Sequence, residues 1–251
     1  MSLLVVGSVA FDTVETPFGK VEEALGGSAL FFSTSASYFT DINLVAVVGD
    51  DFPPETTDFL ASRGVNLDGL RRTEGETFRW KGKYGYDLNE AITLDTQLNV
   101  FGNFHPELPE DYRSASHVFL ANIDPELQLE VLEQVENPEF VALDTMNFWI
   151  EGKKDALIKV LERVDMAVIN ETEARQLAGE ANIVKAARAI QAMGPSHIAI
   201  KRGEYGALLF TNDDTFFAPA YPLESVFDPT GAGDTFAGGL LGYISQNGHQ
   251  D

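Results

Sequence analysis

The sequence predicts an α/β fold, with a mostly parallel central sheet covered by helices and a small β-sheet lid projecting from it. Three observations lead there. Short, unbroken apolar runs recur along the chain, helical patterns with readable ends lie between them, and two segments alternate aromatic against polar residues. Strands buried on both faces read as continuous β-branched and aliphatic runs, and their alternation with helices marks an α/β architecture.

Taken in order, the apolar runs are residues 3–10, 43–48, 117–121, 140–143, 166–169 and 197–200. The helices between them carry their own punctuation. Asp124-Pro125 reads as an N-cap followed by proline at the first helical position, with Leu127, Val131, Leu132 and Val135 at helical spacing behind it. Residues 171–178 stop at Gly179, and 183–193 stop at Gly194-Pro195, a C-terminal glycine with a following proline. The stretches 13–24 and 77–101 are strand-like but two-sided, so together they form the expected lid. No repeat or linker interrupts the chain, and one domain over 1–251 is expected.

Composition narrows the function. The chain has 251 residues, 44% hydrophobic and 22% charged, which fits a folded globular protein. No apolar run reaches the roughly 18 residues of a membrane span. The opening MSLLVVGSVAFD lacks a basic n-region and a small-residue cleavage site, so a cytoplasmic protein is expected. There is no cysteine, hence no disulfide, thiolate metal site or cysteine nucleophile. Lys and Arg number 17 against 39 Asp and Glu, a net charge of −22. Such a surface repels phosphate backbones and anionic lipids, which argues against nucleic-acid and membrane partners. An anionic ligand needs a local basic pocket.

The strongest chemical feature is Asp228-Pro229-Thr230-Gly231-Ala232-Gly233-Asp234-Thr235-Phe236. Phe236, Leu240 and Ile244 lie four apart, so a helix with one buried face begins near Ala232. Small residues before a helix expose backbone N–H groups at its positive end, a ready anion site. An aspartate there suits a carboxylate that takes a proton from a hydroxyl while the amides hold phosphoryl charge. It also suits a plain helix start with an acidic first turn. On spacing alone the two readings stand level. No G-x-x-x-x-G-K-[ST], G-x-G-x-x-G or G-x-S-x-G motif competes, and His105, His117, His197 and His249 show no ligand spacing. His117 and His197 read as structural, Trp149 as packing, and Trp80 as either a lid or a substrate contact.

DPTGAGDTFAGG resembles the C-terminal signature of the ribokinase-like (PfkB) carbohydrate kinases. Gly26-Gly27, Asn170-Glu171-Thr172-Glu173 and Lys201-Arg202-Gly203-Glu204-Tyr205-Gly206 resemble further family elements in the family's order. The resemblance implies a three-layer α/β/α fold and transfer of phosphate from ATP, with Mg²⁺ and a monovalent cation such as K⁺. The acceptor it implies is a hydroxymethyl group of a sugar or sugar-like molecule, a nucleoside being the alternative and a non-catalytic binding homologue a third. It implies Asp234 as general base and the amides of Gly231, Ala232 and Gly233 as anion hole. Asp12 at the end of the first strand, Gly26, Gly27, Phe31 and Asn122 fall on the acceptor. Asn170, Lys201, Gly203 and Gly206 fall on the nucleotide, Glu173 on the water shell of Mg²⁺, and Asp228 with Thr230 on the monovalent-cation loop.

Three places depart from the family pattern. Phe31 stands where many sugar kinases carry an asparagine, so an apolar ring replaces a hydroxyl partner. Asn122 or Asp124 stands in for an acidic sugar contact, and Asp144 with Asn147 resembles the D-x-N element only loosely. The sequence stops soon after the signature helix, where relatives continue through helices walling the adenine pocket. The chain is therefore expected to be incomplete or weak in nucleotide binding. Lid strands in this family often pair between subunits, which implies a homodimer through the lid.

Overall fold

A computed structural model describes residues 2–248. His249 lies outside the described residues. The chain runs β1 (Ser2–Val6), β2 (Ala10–Thr16), β3 (Gly19–Gly26), α1 (Ser28–Ala36), β4 (Asp41–Val48), α2 (Pro54–Ser62), β5 (Val65–Arg72), β6 (Phe78–Tyr84) and β7 (Ala91–Gln97). It continues with β8 (His117–Leu120), α3 (Pro125–Leu132), β9 (Phe140–Leu143), α4 (Asn147–Gly152), α5 (Lys154–Leu161), β10 (Met166–Asn170), α6 (Glu171–Ala178) and α7 (Ile183–Gln191). The last elements are β11 (His197–Lys201), β12 (Ala207–Phe210), β13 (Thr215–Ala218) and α8 (Ala232–Asn247).

The main sheet has nine strands in the order β13-β12-β11-β10-β9-β8-β1-β4-β5. All neighbours are parallel except β11–β12 and β12–β13. Alternate side chains of a strand point to opposite faces, and the core divides accordingly. Leu4 and Val6 pack with Val131, Leu157, Ala174 and Ala187 from α3, α5, α6 and α7. Leu3 and Val5 pack with Phe32, Leu60 and Leu241 from α1, α2 and α8. The Phe32 and Phe119 rings stack at 4.1 Å across this second layer, a contact that adds about 0.5–1.5 kcal/mol beyond area burial. No helix of the described residues is long and apolar enough to cross a membrane.

The second sheet has four strands in the order β3-β2-β6-β7. Only β2 and β6 run parallel in it. It is the expected lid with shifted bounds. The run 3–10 does not form one strand: β1 ends at Val6, and β2 starts at Ala10 in the other sheet. Gly7 makes the break, because a Cβ there would lie 2.7 Å from the Ala121 Cβ. Asp12 therefore sits inside the first lid strand and not at the end of the first core strand. The stretch 77–101 resolves into β6, β7 and a 3₁₀ turn at Asn99–Asn103.

Helix ends follow their chemistry. Asp124 caps α3 by accepting from the Glu126 N–H, and its carboxylate pairs with Lys153 at 2.7 Å. Asn170 and Glu173 form a reciprocal capping box on α6, which ends on left-handed Gly179. Helix α7 stops at Gln191, two residues short of the expected 193. Helix α8 begins at Ala232 as the spacing requires, yet its buried face differs. Ala237, Gly238, Leu241, Gly242 and Ser245 face inward, while Phe236 is exposed and Leu240 and Ile244 are half-buried. The cause is close helix contact. A Cβ at Gly238 would strike the Phe32 carbonyl oxygen, and one at Gly242 would lie 3.1 Å from the Ala36 Cα.

Candidate active site

Ligands of open α/β sheets gather beyond the carboxyl ends of the parallel strands. Here that edge carries Ser8 after β1, Asn122 after β8, Asp144 after β9, Asn170 at the end of β10 and Lys201 at the end of β11. The sheet register sets Asn170 beside Lys201. The N-termini of α1 and α8 and the underside of the lid complete the cleft.

Two glycine turns open those helices. Gly27 is the N-cap of α1 at φ 98, and a side chain there would drive into the Ser8 backbone. Ser8 and Ser28 tie the crossing together, the Ser28 N–H donating to Ser8 Oγ at 3.1 Å. A Cβ on Gly26 would strike the Asp12 carboxylate, and the Gly27 N–H donates to that carboxylate. The glycine pair thus admits Asp12 and Ser8, with Asp12 held at the mouth of α1. Gly231 caps α8 at φ 75, with the Phe31 ring lying where its Cβ would be. Phe31 is therefore a wall of the α8 turn.

The amides of that turn are not equivalent. The Ala232 N–H is spent on the Pro229 carbonyl at 3.1 Å. Those of Gly231 and Gly233 have no acceptor among the described residues, so these two remain for an anion. Asp228 Oδ1 accepts from the Thr230 N–H at 2.9 Å, which folds the loop ahead of the helix.

Charge in the cleft is concentrated around one lysine. Lys201 Nζ donates to Asp144 Oδ2 at 2.7 Å, with both side chains shielded from water. Burial disfavours the Lys201 ammonium, but Asp144, Glu173 and Asp234 outweigh it and hold its pKa above the ordinary value. Burial pushes Asp234 up to about 8, with Asp144 adding to the rise and Lys201 opposing it. Burial likewise raises Glu173 to about 7, again with Asp144 adding and Lys201 opposing. Asp12 rises to about 7 through burial, against the Gly27 N–H bond.

Other expected residues have mixed placements. Asn122 Oδ1 accepts from the Trp149 indole at 3.0 Å, so Trp149 holds a cleft residue as well as packing against Phe148. Asn170 and Glu173 bond to each other at 2.8 Å in both directions. Gly203 faces the lid, since a Cβ there would strike Asn89, while Gly206 at φ 95 abuts the Ala218–Ala220 backbone. Arg202 reaches Glu171 at 2.5 Å and is tied to α6. His117 and His197 accept or donate at Ser116 and Ser196, both away from the cleft at strand starts. Trp80 bonds Thr93 at 3.2 Å within the lid.

The lid supplies contacts that the sequence did not single out. Tyr84 at the end of β6 lies beside Thr230, Asp228, Asp12 and Asp234, and burial raises its phenol. At the β6–β7 tip, Glu90 accepts from Thr172 Oγ1 at 2.5 Å. The alternating Trp80, Tyr84 and Tyr86 were the only sequence signal for these. Asp144 and Lys201 stand on strands separated by β10, so no local spacing announces their pairing.

Comparison with known proteins agrees with this geometry. Residues 2–250 match the model of the pfkB family carbohydrate kinases. A cytidine kinase of Thermococcus kodakarensis is 32% identical, covering 98% of this chain and 89% of that protein. A deoxyribokinase of Salmonella typhi is 37% identical, covering 94% and 79%. The nucleoside kinase structure of Methanocaldococcus jannaschii superposes with a TM-score of 0.77 at 20% identity, covering 99% of this chain and 86% of that one. The three-layer fold is thus that of the ribokinases. With its whole length matched and its glycine turns and acidic cleft in place, the chain belongs to the pfkB family of carbohydrate kinases, phosphotransferases that act on an alcohol group.

Proposed function

We propose that this kinase transfers the γ-phosphoryl group of ATP to a hydroxymethyl group of a sugar or nucleoside, with Asp234 as general base. One observation carries the reading: Asp234 stands in the first turn of α8 directly behind two unspent amides, those of Gly231 and Gly233. The Asp234 carboxylate takes the hydroxyl proton, and the hydroxyl oxygen forms the new P–O bond. The bond to the departing diphosphate breaks, with its electron pair leaving on ADP. Phosphoryl transfer leaves little covalent work to the protein, so alignment and charge stabilisation dominate. The two amides and the α8 dipole meet the charge that develops on the phosphoryl oxygens.

The acceptor end is framed by Asp12, Gly26, Gly27, Phe31 and Asn122, and the donor end by Asn170, Lys201, Gly203 and Gly206. Phe31 favours a nucleoside within this chemistry, because an apolar ring suits a base better than a free sugar hydroxyl. The cytidine kinase relative supports the same narrowing.

Family members use Mg²⁺ with ATP, and an E. coli ribokinase II candidate is solved with both. The described residues hold no group of three or more acidic or histidine side chains able to cage a metal. This suits Mg²⁺, which keeps several waters and binds largely through substrate phosphates. Glu173, with one carboxylate oxygen committed to the Asn170 N–H, would hold one of those waters. When bound, the ion would supply charge neutralisation for the nucleotide phosphates. The Asp228–Thr230 loop is the candidate monovalent-cation site, and a cytoplasmic homodimer paired through the lid completes the proposal.

The test is ADP release from Mg·ATP across a panel of sugars and nucleosides, with and without K⁺, beside Asp234→Asn. One acceptor should turn over, and the variant should lose about 10²–10⁴ in kcat while keeping its fold. A fully active variant would remove Asp234 as the base. Faster turnover with uridine or cytidine than with free ribose would select the nucleoside.

A further inference from the structure

The lysine at the end of β11 does more than line a nucleotide. We propose that Lys201 is a catalytic cation acting on the phosphoryl group in flight, and that Asp144 is the residue that positions it. This rests on the reading of the α8 turn as the anion hole.

The geometry places the lysine at that turn. A Cβ built on Gly233 would lie 3.1 Å from Lys201 Nζ and within 4 Å of its Cδ and Cε, so the side chain runs along the turn. An ammonium has three N–H donors. Among the described residues Lys201 spends one, on Asp144, and two are left beside the free amide of Gly233.

Asp144 is itself fixed. Its Oδ1 accepts from the Thr145 N–H at 2.8 Å, and its own N–H donates to the Leu120 carbonyl at 2.9 Å. Buried Gln128 donates to the Asp144 carbonyl at 3.1 Å as well as to those of Leu120 and Ala121. The carboxylate thus anchors Nζ from two strands away, across β10.

A fixed cation behind the turn has a purpose in this chemistry. Charge on the transferring group spreads over three equatorial oxygens in the transition state. Two amides cannot meet all of it, and a preoriented ammonium in a water-poor cleft adds a donor that needs no reorganisation. The alternative is a packing pair. Buried ion pairs of that kind can be replaced by apolar residues with little or no loss of stability, so stability alone does not separate the two roles. Asp144, Asp12, Glu173 and Tyr84 are the other titratable groups sharing the field of Asp234 and Lys201.

The decisive comparison uses Lys201→Met, Lys201→Arg and Asp144→Asn in the full chain. Kinetics are read alongside calorimetric binding of Mg·ADP with aluminium fluoride and acceptor, a planar mimic of the transferring group, and of a non-hydrolysable ATP analogue. Lys201→Met should lower kcat on the order of 10²–10³ and weaken the fluoride complex in parallel, with KM for ATP and analogue affinity within about threefold. Lys201→Arg should recover part of kcat, and Asp144→Asn should lower kcat about tenfold with the same split. In Lys201→Met the acid limb of kcat/KM should move to higher pH, because the cation that favours ionised Asp234 is gone.

An unchanged kcat in folded Lys201→Met overturns the proposal and leaves a packing pair. A raised KM with analogue and fluoride complexes weakened equally also overturns it, in favour of nucleotide docking. Either result can occur while Asp234→Asn is inactive, which keeps the general-base reading intact. If wild type turns over and Asp234→Asn is equally active, that reading fails instead.

Discussion

The two sheets of this molecule are held by different forces. In the main sheet β8 and β9 are buried along their whole length, as is nearly all of β10. In the lid β7 is exposed at every residue and β3 at most of them. The base of the lid packs Phe11 against Phe52 of the main domain at 6.1 Å, and polar links add to that contact. Arg79 pairs with Asp51 of the main domain at 2.8 Å and, within the lid, with Glu23 at 2.8 Å, and buried Thr77 donates to Asp51 at 2.6 Å. Apolar burial fixes a site wall at low cost in water exposure, whereas exposed ion pairs contribute little each and exchange readily. The fixed wall carries Asp144, Lys201 and Asp234. The lid carries Tyr84, Asn89 and Glu90, which reach across the cleft to Thr230, Gly203 and Thr172.

Substitutions can break this contrast, beginning with the fixed wall. Gly231→Ala places a methyl group into the Phe31 ring at φ 75, a conformation costing on the order of 1–3 kcal/mol. It should lower kcat by about 10²–10³ by displacing the amides, read by kinetics and urea unfolding together. Unaltered kcat would show that the turn yields as easily as the lid.

A pH series sharpens the comparison next. Asp234 rises to about 8, and Asp12 and Glu173 to about 7, all chiefly through burial. Between their ordinary values and these, the folded protein binds more protons than the unfolded chain, so stability falls as pH rises. Their contribution is full below about pH 4 and is lost by about pH 8, opposite to salt-bridged Asp51, whose carboxyl lies below its usual range. Thermal midpoints should therefore decline from pH 5 to 8, and Asp234→Asn should flatten part of the slope. Activity should rise over the same span as Asp234 ionises. A midpoint independent of pH would contradict the burial of these acids.

Smaller effects belong to the lid. Arg79→Ala removes its links to Asp51 and Glu23 and should cost about 1 kcal/mol, with KM for acceptor rising severalfold and kcat nearly unchanged. Equal losses in kcat and KM would place the link in the fixed wall instead. Glu90→Gln should leave stability within about 0.5 kcal/mol, and it should lower KM for ATP about twofold by removing a negative charge near the donor end. A rise in KM would make the Thr172 contact part of the nucleotide site.

The same contrast governs what could be read in advance. Strands β8 to β11 announce themselves because burial on both faces leaves an unbroken apolar run, such as Phe140–Leu143. Strand β5 reads VNLDGLRR and carries charge at an exposed edge, so it lacks that run, whereas β12 (ALLF) carries a short one at the other edge, where the pairing turns antiparallel. The α8 start was legible from local chemistry, the glycines and Asp234. Its buried face was not, because the preference for Gly238 and Gly242 over Phe236 depends on how near α1 lies. Lys201 stood out as a nucleotide residue, yet its partner Asp144 lies 57 residues earlier, and only the sheet order brings the two together.

That nearness of α1 and α8 has a consequence of its own. Each helix begins at one jaw of the cleft, α1 at the Gly27 turn beside Asp12 and α8 at the Gly231 turn before Asp234. Because Gly238 and Gly242 let the two backbones touch, the pair behaves as a calliper closed on a glycine shim. The gap between the Gly27 and Gly231 turns is then a length machined more than one helical turn away from Asp234. An alanine in the shim would alter no side chain of the cleft and still set the jaws wrong.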